Sequence, residues 1–485
     1  MRSLTATATT DGTTEDSYDL IVIGAGAVGE NVADRAVQGG LAVLIVEGEL
    51  VGGECSYWAC MPSKALLRAA TVLRAAHAVP GARAAVAGGL DAAAVLASRD
   101  AVASDWNDTG QVRWLQKAGI QLARGHARLA GERRVVITHA DGTAREVTAR
   151  HAVAICTGSS ASIPPVDGLV EAAPWTSREI TSTESVPDRL AIIGGGVVGC
   201  EMATAFVSLG SAVTLIARGT LLAGVESFAG DAVADRLRAD GAEVLLNTDV
   251  ERVDRRDDGT VSIRLPGGRT IEVDEIVVAT GREPATHDVG LETIGLESGT
   301  WLEVDDTLRV RGYDWLYAVG DVNHRALLTH QGKYQARAAG DVIAARASGA
   351  SVDDSPWGAH VATADHDAVP QVTFTSPEVA SIGMTAEQAE QRGLRTRVID
   401  YELGWLAGAT VHADDYRGTA RMVVDDDRRV IVGFTLVGDD VAELLHAATV
   451  AIVGEVTIER LWHAVPSYPT LSEVWLRLLE GFGRP

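Results

Sequence analysis

Lysine is scarce in this chain of 485 residues: only Lys64, Lys117 and Lys333 occur, beside 39 arginines. Because arginine serves wherever a generic positive charge suffices, a lysine at position 64 hints at chemistry specific to an amine. Basic residues are also outnumbered, since 66 acidic residues give a formal net charge of −24. This balance argues against binding to nucleic acid or to anionic lipid surfaces, which need basic patches.

Long apolar runs are missing as well. None reaches the roughly 18 residues that are needed to cross a bilayer, and the opening MRSLTATATTDGTTEDS lacks the apolar core of an export signal. We therefore expect residues 1–17 to form a disordered tail, and the protein to be cytoplasmic with no membrane contact.

Cysteine is rare, with four in the whole chain. So few exclude a secreted scaffold held by disulfides, and a disulfide here is more often catalytic than structural. Cys55 and Cys60 lie five residues apart in GGECSYWACMPSK, residues 52–64. This spacing fits a disulfide, half of a metal site or chance, although no other cysteine or histidine pair nearby has ligand spacing. We expect Cys156 and Cys200, in apolar strand and helix contexts, to be inert core residues.

A chain of this length should divide into two to four domains. Residues 18–48 have the pattern of an apolar strand, a G-x-G-x-x-G turn, a helix and a second strand, and an offset of 170 residues superimposes them on a second such unit. The turn glycines are Gly24, Gly26 and Gly29 in the first unit, and Gly194, Gly196 and Gly199 in the second. Two units in register predict two dinucleotide sites, each with a pyrophosphate at the positive end of a helix.

The two units differ where their second strands end. Glu47 in the first can accept hydrogen bonds from both hydroxyls of an adenosine ribose, whereas the second has Ala217 followed by Arg218. Loss of the carboxylate removes the repulsion of a 2′-phosphate, and the guanidinium attracts one. The second unit is therefore predicted to bind NADPH, with NADH as the alternative donor. A solvated surface charge is the alternative interpretation of Arg218.

Later segments fit a flavin protein. WLYAVGD, residues 315–321, predicts a buried strand that ends in Gly320 and Asp321. A helix is expected to begin near Leu327, where its dipole could face an electron-rich ring edge.

Together these segments resemble the pyridine nucleotide-disulfide oxidoreductases, the two-cysteine flavoproteins that include glutathione reductase, dihydrolipoamide dehydrogenase and mercuric reductase. The resemblance runs from Tyr18 to the end and rests on GGECSYWACMPSK, the two turns, AICTGS at 154–159, VVATGREP at 277–284, YAVGD, and PQVTFTSPEVASIGMT at 370–385. It implies an α/β fold with two Rossmann-like nucleotide-binding domains and a C-terminal α+β dimerisation domain, working as a homodimer. The implied domains are residues 18–165 with 282–355 for FAD, 166–281 for NAD(P), and 362–485 for the dimer interface.

The family's motifs also imply roles for individual residues. Glu47 would hold the FAD ribose, Asp321 would bind the ribityl-phosphate side, and Lys64, paired with Glu201, would lie beside flavin N5. Other residues expected to bind FAD are Thr157, Gly158, Ser159, Arg282, Leu327, Leu328, Thr329 and His330. Residues expected to border the nicotinamide nucleotide, besides the second turn, are Glu201, Arg218, Val250 and Gly281.

The cysteine pair then has a chemical interpretation. Pro62 suits the start of a helix, where its missing N–H costs nothing, so Cys60 is expected at a helix N-terminus that stabilises a thiolate. The resemblance implies that Cys60 is the charge-transfer thiolate facing the flavin and that Cys55 is the interchange thiol facing the substrate. Hydride from NADPH would reduce the Cys55–Cys60 disulfide through FAD, and the dithiol would reduce a small acceptor: a disulfide, a quinone or a metal ion.

One departure from the family bears on the acceptor. In disulfide reductases and lipoamide dehydrogenases of this family, a His-Pro-Thr-x-Ser-Glu stretch carries a histidine that the partner subunit contributes to the site as acid/base. This chain has Tyr468 at that position and Glu473 at the end of the stretch. A phenol titrates at about 10 and an imidazole at about 6.5, so Tyr468 can donate a proton at neutral pH but hardly accept one. Oxidation of a dithiol should therefore be poor, and reduction of an acceptor should be favoured.

Mercuric reductases share this tyrosine and the Ala-Arg pair. They also carry a vicinal pair of cysteines at the C-terminus, which this chain lacks because no cysteine follows Cys200. Their N-terminal metal-binding domain is not expected here either. The predicted function is an NADPH-dependent flavoprotein reductase, with a dihydrolipoamide dehydrogenase-like or mercuric reductase-like enzyme as alternatives. A non-catalytic flavoprotein that serves as a redox sensor or docking subunit is the alternative of another class. No resident metal site is predicted.

Overall fold

The computed structural model describes residues 16–484. The tail expected over residues 1–17 lies outside the described residues except for its last two, and Ser17 already begins a strand.

The strands are β1 (Ser17–Ile23), β2 (Val43–Glu47), β3 (Gln121–Arg124), β4 (His126–Leu129), β5 (Arg134–Thr138), β6 (Ala144–Ile155), β7 (Ser159–Ala161), β8 (Arg189–Ile193), β9 (Ala212–Ile216), β10 (Glu243–Leu245), β11 (Arg252–Arg255), β12 (Val261–Arg264), β13 (Thr270–Val273), β14 (Glu275–Val278), β15 (Arg282–Pro284), β16 (Leu316–Ala318), β17 (Gln371–Thr373), β18 (Glu378–Gly383), β19 (Thr396–Glu402), β20 (Thr419–Asp425) and β21 (Val430–Gly438). The α-helices are α1 (Ala27–Gln38), α2 (Gly53–Tyr57), α3 (Cys60–Ala78), α4 (Pro80–Arg83), α5 (Ala92–Val102), α6 (Thr109–Ala118), α7 (Ser177–Ser182), α8 (Val197–Ser208), α9 (Ser227–Ala239), α10 (Thr329–Ser348), α11 (Ala364–Asp367), α12 (Ala386–Gln391), α13 (Ala407–His412), α14 (Leu445–Val453), α15 (Ile458–Leu461) and α16 (Val474–Phe482).

A seven-stranded sheet contains the first glycine-turn unit. Its order is β3-β2-β1-β6-β5-β4, and β16 pairs with β6 as well. The strands β3, β2, β1, β6 and β16 run parallel, while β5 and β4 add an antiparallel edge. The central residues of β1, Leu20 to Val22, have no exposed surface, as expected of a parallel strand buried on both faces.

The second unit repeats this plan on a parallel sheet of order β10-β9-β8-β14. Strands β1 and β8 end at Ile23 and Ile193, and helices α1 and α8 begin at Ala27 and Val197. Both differences equal the 170-residue offset of the sequence. The strand, turn and helix of each unit are therefore the same local structure.

The C-terminal part of the chain is built around a five-stranded antiparallel sheet of order β17-β18-β21-β20-β19. Helices α14 and α16 pack on it, and the rings of Phe434 and Trp475 stack with centroids 4.7 Å apart in its core. The expected fold class is confirmed: two Rossmann-like units and a C-terminal α+β domain. The exact limits of the domains stay predictions. Within the described ranges, no helix combines the length and apolar character that a membrane span needs.

Candidate active site

The first glycine turn brings β1, α1 and the loop after β6 into close contact. Gly24 has φ +98°, and a Cβ there would lie 2.6 Å from the carbonyl oxygen of Cys156. A Cβ on Gly29 would lie 2.0 Å from the carbonyl oxygen of Gly24. Because no side chain intervenes and no side chain caps α1, the helix N-terminus is open to an anionic ligand.

A cavity of about 660 Å³ opens above this turn. The Glu47 carboxylate, at its edge, accepts hydrogen bonds from the N–H groups of Ala25 (2.7 Å) and Glu49 (2.8 Å). The predicted residues that line the cavity are Gly24, Gly26, Glu47, Cys55, Thr157, Gly158, Ser159, Arg282, Asp321 and Thr329. A carboxylate for ribose hydroxyls and an open helix N-terminus for a diphosphate together fit FAD.

Five residues that were expected to contact FAD are not among those that line this cavity, and their contact with FAD stays a prediction; they are Gly29, Lys64, Leu327, Leu328 and His330. Leu327 lines a second cavity, and Leu328 is the N-cap of α10. His330 is exposed, and its Nε2 lies 2.7 Å from the carbonyl oxygen of Pro370. Helix α10 begins at Thr329, two residues beyond the start expected from the sequence.

The two cysteines are free thiols on adjacent helices, Cys55 in α2 and Cys60 at the first position of α3. The Thr329 hydroxyl oxygen lies 3.3 Å from the Cys60 sulfur, and Cys55 is close enough to Cys60 to affect its titration. The neighbouring Cys55 thiol, the Thr329 hydroxyl and the charge of Lys64 lower the pKa of Cys60, whereas the neighbouring Cys60 sulfur and burial raise the pKa of Cys55. Of the two thiols, Cys60 has the lowered pKa, and it occupies the first position of α3.

A half-buried ion pair lies close to Cys60. The Lys64 ammonium donates to Glu201 at 2.8 Å, and Glu201 is only 3% exposed. Its other carboxylate oxygen accepts from the Phe374 N–H at 2.9 Å, and the Lys64 nitrogen lies 5.0 Å from the Phe374 ring centroid. The pair expected from the sequence is present, and Phe374 was not foreseen as its third member.

The second glycine turn borders a cavity of about 460 Å³. A Cβ on Gly199 would lie 1.9 Å from the carbonyl oxygen of Gly194, so the turn closes as in the first unit. The predicted residues that line this cavity are Gly194, Gly196, Arg218 and Gly281. Val250 packs instead against the apolar cluster of β11, β12 and β13.

Tyr468 and Glu473 do not meet in a single chain. Tyr468 is 75% exposed. Glu473 is buried, and one of its oxygens accepts from Arg477 at 2.5 Å, while the other has no partner among the described residues. Neither residue belongs to the lining of the first cavity.

The other two cysteines, Cys156 and Cys200, are buried, and burial raises the pKa of both thiols.

Sequence reasoning missed a cluster beside Cys55. Arg178 of α7 contacts Glu49 and Glu54, and its guanidinium carbon lies 4.1 Å from the Trp58 ring centroid. Arg178 and Glu54 are 124 residues apart, and no local pattern marks the arginine.

In the part of the chain that the structure describes, no cluster of three or more histidine, cysteine or acidic side chains could hold a metal.

Comparison with known proteins decides the family. Residues 18–346 match the family described as pyridine nucleotide-disulphide oxidoreductase, and residues 369–478 match the dimerisation domain of that family. The chain belongs to this family. Its relatives are FAD-dependent enzymes that use a pyridine nucleotide, so this oxidoreductase is an enzyme of the same type.

Several curated relatives of the oxidoreductase differ in substrate. It is 32% identical to mercuric reductase of Acidithiobacillus ferrooxidans, over 97% of this chain and 83% of that protein. It is 30% identical to glutathione reductase of Burkholderia cepacia, over 95% and 98%. It is 32% identical to dihydrolipoyl dehydrogenase of Haloferax volcanii, over 95% of each chain. Because the identities to these three kinds of enzyme are nearly equal, they do not show which electron acceptor the oxidoreductase uses.

Solved structures share the fold of the oxidoreductase. The Cu(II) complex of the HOCl-induced flavoprotein disulfide reductase RclA from Escherichia coli superimposes with a TM-score of 0.82 at 23% identity, over 96% of this chain and 99% of that chain. LpdA from Mycobacterium tuberculosis superimposes with a TM-score of 0.80 at 24% identity, over 96% and 100%.

Proposed function

We propose that this enzyme is an NADPH-dependent flavoprotein reductase that passes electrons through Cys55 and Cys60 to an acceptor. The observation that carries the proposal is the pair of free thiols, with Cys60 at the first position of α3 and Cys55 lining the cavity above the first glycine turn. When bound there, FAD supplies hydride transfer from the nicotinamide and delivery of an electron pair to the disulfide. The side chains of the protein carry out the remaining steps.

The two cysteines divide the reaction. Cys60 keeps the negative charge, because Cys55, Thr329 and Lys64 all lower its pKa. With a disulfide acceptor, Cys55 loses its proton as its sulfur bonds to one acceptor sulfur, and the other acceptor sulfur leaves as a thiolate that takes up that proton. Cys60 then attacks Cys55, which releases the second acceptor thiol and restores the Cys55–Cys60 disulfide. Two electrons leave the enzyme in each cycle.

Tyr468 supports reduction of an acceptor over oxidation of a dithiol. In a homodimer, Tyr468 of the partner subunit would lie near Cys55 and could give its proton to a leaving thiolate. A phenol is a far weaker base at neutral pH than the imidazole of the family's histidine. Glu473, bound to Arg477, does not orient Tyr468 within its own chain.

Arg218 supports NADPH as the electron donor. It is exposed at the rim of the second cavity, and Ala217 stands where Glu47 stands in the first unit. An attractive guanidinium and a missing carboxylate favour a 2′-phosphate.

Anaerobic titration of the purified enzyme with NADPH tests the proposal. We expect two-electron reduction with a long-wavelength charge-transfer band from the Cys60 thiolate. Cys60→Ser should abolish the band, Cys55→Ser should retain it without turnover, and the buried Cys200→Ser is the matched control that changes neither. Steady-state assays should then compare lipoamide, low-molecular-weight disulfides, menadione, Hg(II) and Cu(II).

Each outcome of the panel has a meaning. Turnover with one acceptor class, lost in Cys60→Ser, supports a reductase and names its substrate. Rapid oxidation of dihydrolipoamide would contradict the interpretation of Tyr468. Reduction by NADPH without turnover of any acceptor would favour a redox sensor or docking subunit and would overturn the proposed activity.

A further inference from the structure

The first cavity is lined by more negative charge than positive charge. Its carboxylates are Glu47, Glu49, Glu54, Asp288 and Asp321, and its arginines are Arg178 and Arg282. The cofactor of this family adds a diphosphate with two further negative charges. A carboxylate facing that diphosphate would weaken binding unless a cation neutralises it.

Glu54 stands next to the place where the diphosphate belongs. The backbone of Gly52 donates to Ala25 at 2.8 Å and forms a β-bridge with Gly26, the N-cap of α1. A Cβ on Gly53 would lie 2.9 Å from the Cα of Gly26. Helix α2 therefore begins against the N-terminus of α1, and Glu54 is the second residue of α2.

Arg178 is built into the wall between Glu54 and Glu49. Its Nη1 and Nη2 donate to the two oxygens of Glu49 at 3.2 and 2.5 Å, and its Nε donates to Glu54. The guanidinium stacks on Trp58, so its plane is fixed from one side. The hydrogen bond from Arg178 lowers the pKa of Glu49, so that carboxylate is charged at neutral pH.

The other arginine of the cavity, Arg282, contacts a different set of residues. The Nε of Arg282 donates to the hydroxyl of Ser159 at 2.5 Å, and Arg282 lies 3.9 Å from Asp321. Lys64 does not line this cavity, and its charge is matched by Glu201. Arg178 is thus the cation that compensates the Glu49 and Glu54 side of the cavity.

We propose that Arg178 is a positioning residue that neutralises Glu49 and Glu54 and thereby makes this wall compatible with the FAD diphosphate. The role goes beyond the proposed function, because it sets how tightly the chain holds its cofactor whatever the nucleotide donor or the acceptor. Arg178 lies in α7, between the two nucleotide-binding units.

FAD affinity is the measurement that tests this. Holoenzyme is diluted stepwise, and free FAD is followed by its fluorescence, with re-addition of FAD to give the dissociation constant. We expect Arg178→Gln to raise the dissociation constant about tenfold or more, and more strongly at low salt, because Glu54 beside the diphosphate and Glu49 on the same cavity wall then lose their paired cation. The control is Arg189→Gln, since Arg189 pairs with Asp274 on the exposed start of β8 and lines no part of the cavity; its FAD affinity should be unchanged.

A second substitution separates charge from packing. Glu54→Gln in the Arg178→Gln background should restore most of the affinity, and Glu54→Gln alone should leave FAD binding equal or tighter. Arg178→Gln that retains wild-type affinity would overturn the proposal. So would a double variant as weak as Arg178→Gln, since loss of stacking on Trp58 would then be the cause. If Arg178→Gln does not fold, Glu54→Gln alone decides: weaker FAD binding in that variant contradicts the proposed role.

Discussion

At the scale of single residues, Glu30 is a half-buried acid near the first glycine turn. Its Oε1 is buried with no hydrogen-bond partner among the described residues. Burial raises the pKa of Glu30 to about 7, although the charge of Lys333 opposes the shift. The unfolded chain releases this proton at about pH 4.3. Between these values the native state holds a proton that the unfolded state has lost, so stability falls as pH rises, and the loss is complete above pH 7.

Replacing Glu30 with Gln should remove this dependence. The wild-type free energy of unfolding should fall by up to about 3 kcal/mol more than that of Glu30→Gln between pH 5 and pH 8. Urea unfolding at the two pH values measures the difference. Glu132→Gln, at a side chain 67% exposed, is the control and should follow the wild type. Parallel stability curves for wild type and Glu30→Gln would show that Glu30 titrates normally.

Arg218 carries a second prediction at this scale. Arg218→Ala should raise the KM for NADPH about tenfold or more and leave the KM for NADH nearly unchanged, since only the phosphorylated ribose loses a charge-assisted contact. Steady-state kinetics with both nucleotides measure this. Arg238→Ala, at the end of α9, is the control. Equal losses for both nucleotides would make Arg218 a structural or solvated residue.

At the scale of elements, Glu201 joins three parts of the chain. It lies in α8, accepts from Lys64 of α3, and accepts from the backbone of Phe374, directly after β17. Removing one partner of a buried ion pair leaves the other charge uncompensated. The pair therefore fixes α3, which carries Cys60, against the second nucleotide unit.

Glu201→Gln should lower the free energy of unfolding by about 2 to 3 kcal/mol. The loss stays in this range because Lys64 is partly exposed, so water stabilises part of its unpaired charge. The urea midpoint measures the loss. Glu243→Gln breaks an exposed pair with Arg269 and should cost less than about 1 kcal/mol. If the two variants unfold at the same urea concentration, Glu201 does not bind the elements together.

Elements were easier to predict than the contacts between them. The helices after the two turns begin at Ala27 and Val197 because strand, glycine spacing and helix follow one another within ten residues. Cys60 opens α3 as Pro62 suggested, although the proline occupies the third position rather than the first. Arg178 beside Glu54, and Thr329 beside Cys60, depend on how distant segments pack. Local pattern holds no information on such pairs.

At the scale of the whole molecule, the C-terminal domain exposes large apolar side chains. Trp405 and Val411 are each 75% exposed, and Val465 is 86% exposed. All three lie within the residues that match the family's dimerisation domain. Apolar side chains this exposed on one domain are typical of an interface.

Val465→Asp should therefore yield a folded monomer, because a carboxylate would be buried without a partner in the dimer. Light scattering after size exclusion measures the mass, and circular dichroism checks the fold. Val170→Asp is the control, since Val170 is 64% exposed but lies outside the dimerisation domain; it should stay dimeric. A dimeric Val465→Asp would place the interface elsewhere.

The position of Tyr468, exposed in its own chain, has a genetic consequence. If each catalytic centre takes Cys55 from one subunit and Tyr468 from the other, two defective alleles can complement. Chains carrying Cys55→Ser and chains carrying Tyr468→Phe would each form inactive homodimers. Their random mixture would contain heterodimers with one intact centre apiece, and about a quarter of the wild-type activity would reappear.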